Sequence, residues 1–198
     1  MGAESITLRV NEIFYSLQGE GRRVGEASIF VRLTGCDLAC SFCDTEFESG
    51  KQMTLEEIRS ECAKTPGTWI VWTGGEPALQ LTSEIVAWFN DQGYRQAIET
   101  NGGHPVPDGL AWVVCSPKVA EHVLQKNFPN GVNELRYVRH SGQMGVPQPK
   151  IISEERYLSP RFDGDKVNAK NLRHCIRLCL ENPDWKLSLQ SHKLLKIL

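Results

Sequence analysis

The sequence predicts an α/β protein with a mostly parallel sheet, in the form of a reduced, partial (β/α) barrel. Short β-rich runs alternate with amphipathic helices, a pattern typical of parallel strands whose faces are covered. The chain has 198 residues, whereas a complete eight-fold barrel typically needs about 250. Some strand-to-strand connections are also too short to hold a helix. We therefore expect an open or partial barrel, in a single domain that spans residues 1–198.

Composition favours a globular protein of the cytoplasm and excludes several classes of partner. The net charge is −2, so no field of one sign favours nucleic acid or a membrane surface. The longest apolar runs, such as WIVW, are too short to span a bilayer, and the N-terminus lacks the pattern of a signal peptide. Seven cysteines, an odd number, argue against a full disulfide framework. We expect neither a nucleic-acid partner nor a membrane partner.

The strands and helices follow from local patterns. Strands are predicted at SIFVRL, WIVW, RQAIE, AWVVC, ELRYV, ERYL and KLSLQ. Helices are predicted at TLEEIRSECAK, SEIVAWFNDQ and NAKNLRHCIRLCLEN. Thr54 and Glu57 form a capping-box pattern at the start of the first helix. Gly93 is placed to end the second helix, and Pro183 stops the third.

Polar loops follow most of these strands. They read TGC, TGGEP, TNGG, SPK, SP and QSHK, in chain order. In parallel α/β architectures, ligands bind at the carboxyl ends of the strands. We expect these loops to converge on one rim of the sheet and to form an active site there.

Three cysteines lie within eight residues, with the spacing C-x3-C-x2-C: Cys36, Cys40 and Cys43. Structural zinc would need a fourth ligand, and only the carboxylates of Asp37 and Asp44 are near in sequence. A four-iron cluster held by three cysteines instead keeps one iron open for another ligand. The amino and carboxylate groups of S-adenosylmethionine can chelate that iron. An electron from the cluster then cleaves the sulfonium and releases a 5′-deoxyadenosyl radical.

This spacing, with the aromatic Phe42 directly before the last cysteine, resembles the signature of the radical S-adenosylmethionine superfamily. TGGEP at residues 73–77 resembles the turn with which the superfamily receives the methionine amino group. Gly74 and Gly75 allow close approach of backbone to a ligand, and Glu76 offers an acceptor for an ammonium group. The resemblance implies a 4Fe–4S cluster and S-adenosylmethionine as cofactors, and a partial barrel of the radical S-adenosylmethionine type.

A narrower resemblance extends from Asn11 to the C-terminus. EIFYSLQGEG, CDT, TGGEP, ETNG, SPK and LSLQSHK stand in the order found in the 7-carboxy-7-deazaguanine synthase family. This resemblance implies ring contraction of 6-carboxy-5,6,7,8-tetrahydropterin (hereafter carboxytetrahydropterin) to 7-carboxy-7-deazaguanine, with release of ammonia. It also implies a renewable S-adenosylmethionine cofactor, Mg²⁺, a flavodoxin- or ferredoxin-type electron donor and a homodimer.

The family resemblance also implies a set of site residues. The cluster ligands would be Cys36, Cys40 and Cys43. The cofactor-binding residues would be Phe42, Asp44, Gly74, Gly75, Glu76, Ser116, Pro117, Lys118, Ser159 and Pro160. The substrate-binding residues would be Leu17, Gln18, Gly19, Glu20, Arg32, Thr73, His192 and Leu198 with its terminal carboxylate. Thr45 would be the magnesium ligand. Ser159-Pro160 stands where the family usually has Gln-Pro, and Leu198 stands where proline is often found.

The chemistry of several of these residues suits the implied roles. The amide of Gln18 can pair with the donor–acceptor edge of a pyrimidinone ring, and Arg32 can form two parallel bonds to a carboxylate. Thr45 is a neutral ligand for a hard cation, so waters and substrate oxygens must complete the octahedron. The remaining cysteines are expected to act as buried small hydrophobic residues: Cys62, Cys115, Cys175 and Cys179.

The sequence is also compatible with two other functions. An activating enzyme for glycyl-radical proteins would share the cysteine spacing and the TGGEP turn, but it would have less need for a closed pterin pocket. A zinc-stabilised binding module without catalytic activity is the alternative from another class.

Overall fold

The computed structural model describes residues 6–40 and 48–197, and that part of the chain contains nine strands and five α-helices. The described residues divide into two compact units. The first comprises residues 6–16, 27–40, 48–100 and 104–113, and the second comprises residues 17–26, 101–103 and 114–197. The expectation of a single domain stays a prediction.

The first unit carries a five-stranded portion of sheet, in the order β3-β1-β2-β4-β5. The strands are β1 (Thr7–Leu17), β2 (Ala27–Leu33), β3 (Lys51–Thr54), β4 (Trp69–Gly74) and β5 (Arg95–Thr100). The helices are α1 (Leu55–Cys62) and α2 (Ser83–Asp91). Strand β2 runs parallel to β4 and β4 runs parallel to β5, whereas β1 and β3 pair antiparallel.

The second unit carries the strands β6 to β9, and each neighbouring pair is parallel. The strands are β6 (Trp112–Cys115), which begins in the first unit, β7 (Val132–Arg139), β8 (Ser153–Pro160) and β9 (Lys186–Leu187). The helices are α3 (Glu121–Asn127), α4 (Ala169–Glu181) and α5 (Ser191–Leu195). The predicted α/β class with a mostly parallel, open sheet is confirmed.

Helix ends follow the local signals in the sequence. The capping box of α1 is present, because the Glu57 N–H donates to Thr54 Oγ1 at 3.2 Å and the Glu57 carboxylate accepts from the Thr54 N–H at 2.7 Å. Gly93 follows the C-cap of α2, with a φ of +87° in the left-handed region, and its N–H donates to the Asn90 carbonyl. Asn168 caps α4 by accepting two backbone N–H groups.

Each unit has its own apolar core. In the first unit, Trp72 packs edge-on against Phe89 at a centroid distance of 5.2 Å, and its indole N–H donates to Gln96 Oε1. In the second unit, Leu158 packs with Leu178 and neighbouring side chains of α4 and β9. Full burial of one such large side chain contributes about 1.5–3 kcal/mol.

The cysteines outside the C-x3-C-x2-C segment belong to these interiors, as predicted. Cys62, Cys115 and Cys175 are buried and Cys179 is half-buried. Burial raises the pKa of the Cys62 thiol to about 12 and that of Cys175 to about 11. Such thiols stay protonated near neutral pH and are poor nucleophiles or metal ligands.

No helix in residues 6–40 and 48–197 combines the length and the apolar character needed to cross a membrane.

Candidate active site

The loop after β2 carries the first two residues of the cysteine motif. Cys36 and Cys40 are half-buried thiols. Burial raises the pKa of the Cys36 thiol, and the nearby carboxylates of Asp37 and Glu76 act in the same direction, whereas a backbone hydrogen bond at Leu38 acts against them. Thiols that bind a metal are deprotonated by it. The two accessible sulfur atoms therefore fit a metal-cluster ligand set, although the third proposed ligand lies outside the described residues.

The TGG turn at the end of β4 packs directly against this loop. A Cβ on Gly75 would lie 1.8 Å from the Gly35 carbonyl oxygen, and a Cβ on Gly74 would lie 2.1 Å from the Leu33 oxygen. The Gly75 N–H donates to the Leu33 carbonyl and the Glu76 N–H donates to the Gly35 carbonyl, at 3.0 and 2.9 Å. The glycines are thus required because the backbone that leads into Cys36 already occupies the space of a side chain.

Replacing Gly75 with alanine should therefore displace the cysteine loop. Backbone cannot approach a Cβ within about 3 Å, so residues 33–36 or the turn must shift. We expect the variant to retain much less iron after anaerobic reconstitution, measured as iron and sulfide per chain. Gly142→Ala is the control, because its Cβ would meet only the movable ring of His140, at 3.2 Å. Normal iron content in the Gly75 variant would show that the contact does not position the cysteines.

Glu76 is fully buried and holds the turn together. Its Oε1 accepts hydrogen bonds from Thr100 Oγ1 at 2.9 Å and from the Ala78 N–H at 3.0 Å, and the second of these caps a short 3₁₀ turn. This carboxylate therefore links the end of β4 to the end of β5. Its predicted role as acceptor for an ammonium group stays a prediction.

Arg32 and Thr73 lie side by side at the ends of two parallel strands. They are register partners in the β2–β4 pairing. Arg32 Nε lies 3.0 Å from Glu12 Oε1, with 23% of the Arg32 side chain exposed, and its guanidinium lies 5.5 Å from the ring centroid of Phe14. The arginine is thus held in place by an acidic partner and an aromatic face, and it remains reachable by a ligand carboxylate.

A second polar contact joins the cysteine loop to the segment after β5. His104 Nε2 lies 2.8 Å from Asp37 Oδ2, and both side chains are more than one third exposed. Asp37 is adjacent to Cys36, so the contact restrains the loop next to the first thiol.

In the second unit, the segment after β5 packs with the SPK segment after β6. The Lys118 N–H donates to the Asn101 carbonyl at 3.0 Å. A Cβ on Gly102, which has φ +85°, would lie 2.5 Å from Leu124 and 3.0 Å from Cys115 Sγ. Ser116, Pro117 and Lys118 are half-buried. The structure thus brings the TNGG and SPK motifs together, as expected of loops at neighbouring strand ends.

The SLQGEG and QSHK motifs also meet in the second unit, through Gly19 and Ser191, which are 172 residues apart in sequence. The Gly19 carbonyl accepts hydrogen bonds from the Ser191 hydroxyl at 2.7 Å and from the Ser191 N–H at 3.0 Å. A Cβ on Gly19 would lie 2.1 Å from His192 Nδ1. Gln18 is buried, and its Oε1 accepts from the Glu20 N–H at 3.2 Å. Leu17 remains 40% exposed.

Glu20 belongs to an ionic network that sequence reasoning missed. Arg136 Nη1 lies 2.9 Å from Glu20 Oε2, and Arg136 Nε lies 3.2 Å from Glu134 Oε1. Ser159 Oγ donates to Glu20 Oε1 at 3.4 Å. Ser159, proposed as a cofactor contact, therefore lies against a proposed substrate residue, and Pro160 ends β8 beside it.

The missed residues carried a weak signal in the sequence. Glu134 and Arg136 are two apart in the predicted strand ELRYV, so they share one face of a parallel sheet. Parallel strands are usually apolar on both faces, so two opposite charges on one face of such a strand indicate a buried ion pair. Glu12 carried no comparable signal, because an acidic residue in a solvated strand is common.

Several proposed residues lie outside the described part of the chain: Phe42, Cys43, Asp44, Thr45 and Leu198. Within residues 6–40 and 48–197 there is no group of three or more His, Cys, Asp or Glu side chains placed to hold a metal ion. The complete cluster ligand set and the magnesium ligand stay predictions, as do the roles of the other site residues.

In this mostly parallel α/β sheet, the cysteine loop follows β2 and packs on the Gly-Gly turn that follows the neighbouring strand β4. This is the architecture of the radical S-adenosylmethionine superfamily. No family model matches the chain. A 7-carboxy-7-deazaguanine synthase from Bacteroides thetaiotaomicron is 37% identical over 191 residues, covering 96% of this chain and 98% of that protein. One from Caulobacter vibrioides is 35% identical over 219 residues, covering 96% and 99%. The chain belongs to the 7-carboxy-7-deazaguanine synthase family.

The fold agrees with this assignment. The crystal structure of QueE from Escherichia coli superposes with a TM-score of 0.72 at 23% sequence identity, and the match covers 94% of this chain and 95% of that chain. The predicted family and the predicted partial-barrel fold are both confirmed.

Proposed function

We infer that this protein is a 7-carboxy-7-deazaguanine synthase, a lyase that contracts the ring of carboxytetrahydropterin and releases ammonia in queuosine and deazapurine biosynthesis. The observation that carries this conclusion is identity of more than one third to proteins of that name over nearly the whole of both chains. Full-length similarity matters here, because the cysteine motif alone would also suit an activating enzyme for glycyl-radical proteins.

The chain's own residues fit a cluster and a nucleoside cofactor. Cys36 and Cys40 offer accessible thiols on a loop that is fixed by the Gly74-Gly75 turn, and Cys43 is the proposed third ligand. When bound, a 4Fe–4S cluster would supply the electron that cleaves S-adenosylmethionine. The protein's part is to hold the ligand loop, which it does through backbone hydrogen bonds from the turn.

The proposed cofactor contacts divide between backbone and side chain. Gly75 would present its main chain to the methionine end of the cofactor, whereas the Glu76 carboxylate already accepts hydrogen bonds from Thr100 and the Ala78 N–H. We therefore assign recognition of the methionine amino group chiefly to the backbone of the turn. The half-buried Ser116 and Lys118 remain the proposed contacts for the ribose and adenine.

The proposed substrate contacts are chemically matched to a carboxylated pterin. Arg32 supplies a permanently charged, forked donor for the carboxylate, next to the hydroxyl of Thr73. Gln18 and Glu20 supply acceptors for the amino edge of the pyrimidinone ring. His192, fixed against Gly19, is a further polar group for the substrate.

Other partners complete the proposal. Thr45 would bind Mg²⁺, with waters and substrate oxygens filling the remaining positions, since this hard cation prefers six oxygen ligands. A flavodoxin- or ferredoxin-type protein would supply the electron, and a homodimer would be the working assembly. These assignments rest on the family resemblance.

The proposal is tested by anaerobic incubation of the reconstituted protein with S-adenosylmethionine, a reductant and carboxytetrahydropterin. We expect a product with the mass of 7-carboxy-7-deazaguanine and a rate that rises with added Mg²⁺. Iron and sulfide in the brown holoprotein would exclude the zinc-module alternative. Cleavage of S-adenosylmethionine without any change in the pterin would instead favour an activating enzyme.

A further inference from the structure

The network around Glu20 is almost completely buried. Glu134 and Arg136 lie on one face of β7, with 2% and 4% of their side chains exposed, and 18% of the Glu20 side chain is exposed. One guanidinium therefore lies between two carboxylates, bonded to Glu20 at 2.9 Å and paired with Glu134 at 3.2 Å outside hydrogen-bond geometry. A buried ionic group of this kind is costly unless its geometry is well made.

The same network fixes the backbone on either side of Glu20. The Arg22 N–H donates to Glu134 Oε2 at 3.1 Å and the Gly21 N–H donates to Ser188 Oγ at 2.9 Å. Gly21, with φ +69°, lies so close that a Cβ would stand 2.0 Å from Glu134 Oε1. The two residues that follow Glu20 are thus hydrogen-bonded to the side chains of Ser188 and Glu134.

Glu20 keeps acceptor capacity for a ligand. A carboxylate has about four acceptor positions, and the contacts with Arg136 and Ser159 occupy one on each oxygen. Both oxygens can therefore accept a second donor. The 2-amino group and the adjacent ring N–H of a pterin are two parallel donors that match a carboxylate.

Arginine suits this position better than lysine would. Its planar, permanently charged group has donors that point in several fixed directions, so its Nη1 can contact Glu20 while its Nε lies beside Glu134. A lysine would be a single point charge and would hold at most one of the two carboxylates in a defined orientation.

We propose that Arg136 is a positioning residue for substrate recognition: it holds Glu20 as the acceptor for the amino edge of the pterin ring. This inference rests on the proposed function, and it assigns Arg136 an effect that acts through Glu20. Glu134 adds a negative charge beside the Arg136 guanidinium, and it accepts a hydrogen bond from the Arg22 N–H in the loop after Glu20.

The test is anaerobic equilibrium binding to the holoenzyme with S-adenosylmethionine present. The ligands are carboxytetrahydropterin and its analogue without the 2-amino group, and the readout is the ratio of the two dissociation constants. Glu20→Gln, a near-isosteric change, should lower the wild-type preference by about tenfold to a hundredfold, as expected for a hydrogen bond to a charged group. Arg136→Lys should lower it in the same direction.

The decisive comparison is the double variant. If Arg136 acts through Glu20, Arg136→Lys should cause no further loss of preference in the Glu20→Gln background, because effects on one contact are not additive. Arg22→Gln is the matched control, since its side chain pairs instead with Glu155, and it should keep the wild-type ratio. If the lysine variant fails to fold, the charge-balanced pair Arg136→Gln with Glu134→Gln replaces it.

Three results would overturn the inference: an unchanged ratio in Glu20→Gln, an unchanged ratio in a folded Arg136 variant, or equal losses from Arg136→Lys with and without Glu20. A variant that loses only thermal stability would reduce the network to a structural role. Failure of the proposed function looks different, because the wild-type holoenzyme would then bind neither pterin.

Discussion

Replacing Cys40 with alanine should abolish reductive cleavage of S-adenosylmethionine. Cys40 lies on the loop after β2 as a half-buried, free thiol, and in the proposed site it supplies one of three ligands. Loss of one thiolate leaves one iron of the cluster without its protein ligand, so the iron content should fall together with the cleavage rate. The measurements are iron and sulfide per chain, the visible absorption of the cluster, and 5′-deoxyadenosine formed under reducing conditions.

Cys179→Ser is the matched control for this experiment. That thiol is half-buried on α4 and packs against the apolar core of the second unit, and it lies outside the C-x3-C-x2-C segment. The variant should retain both the cluster and the cleavage rate, even if it melts at a lower temperature. Near-wild-type cleavage by the Cys40 variant would refute the cluster assignment.

Replacing Arg32 with alanine should weaken binding of carboxytetrahydropterin while leaving the cluster and S-adenosylmethionine binding intact. Removing one partner of a largely desolvated charge pair costs about 2 to 5 kcal/mol, which corresponds to roughly thirtyfold to several-thousandfold in affinity. Arg32→Lys should recover only part of this, because an ammonium cannot form two parallel bonds. The measurement is anaerobic titration with the carboxylated pterin and with its decarboxylated analogue.

Glu12 provides the control for Arg32. Its carboxylate pairs with the Arg32 guanidinium and would compete with a substrate carboxylate for it. Because the Glu12 side chain is 45% exposed, removing this ion pair should change the stability of the protein little. Glu12→Gln should therefore leave affinity unchanged or raise it. Equal wild-type affinity for the acid and its decarboxylated analogue, or undiminished affinity in Arg32→Ala, would remove this role from Arg32.

The elements with strong local signals could be predicted from the sequence. WIVW and RQAIE are short β-rich runs bounded by turn residues, and both are strands. The third predicted helix is capped by Asn168 and ends before Pro183, as its capping and stop signals indicate. These predictions succeeded because burial and capping act over a few neighbouring residues.

Other elements lacked such signals. Strand β1 was not predicted, although Leu8 and Val10 alternate with exposed residues. Helix α3 has seven residues and no side-chain cap, and α5 has five residues, so neither shows a helical period. KLSLQ was predicted as a full strand, but only Lys186–Leu187 pair in the sheet, because the chain turns into α5 soon afterwards.

The site shows the same division. The glycines at 74 and 75 could be predicted from the motif, but the reason for them required the structure, since the backbone at Leu33 and Gly35 fills the space of their side chains. The contact between Gly19 and Ser191 joins two ends of the chain. Tertiary contacts of that kind depend on packing and leave no local pattern, and the Arg136 network was missed for the same reason.

The most direct test of the whole account is the mass balance of a single anaerobic reaction of the wild-type holoenzyme. Carboxytetrahydropterin, 7-carboxy-7-deazaguanine, ammonia and S-adenosylmethionine are quantified over time by mass spectrometry and an ammonia assay. We expect one ammonia for each deazaguanine formed and many products for each S-adenosylmethionine consumed, as ring contraction with a renewable cofactor requires. Steady consumption of S-adenosylmethionine with unchanged pterin and no ammonia would contradict the account.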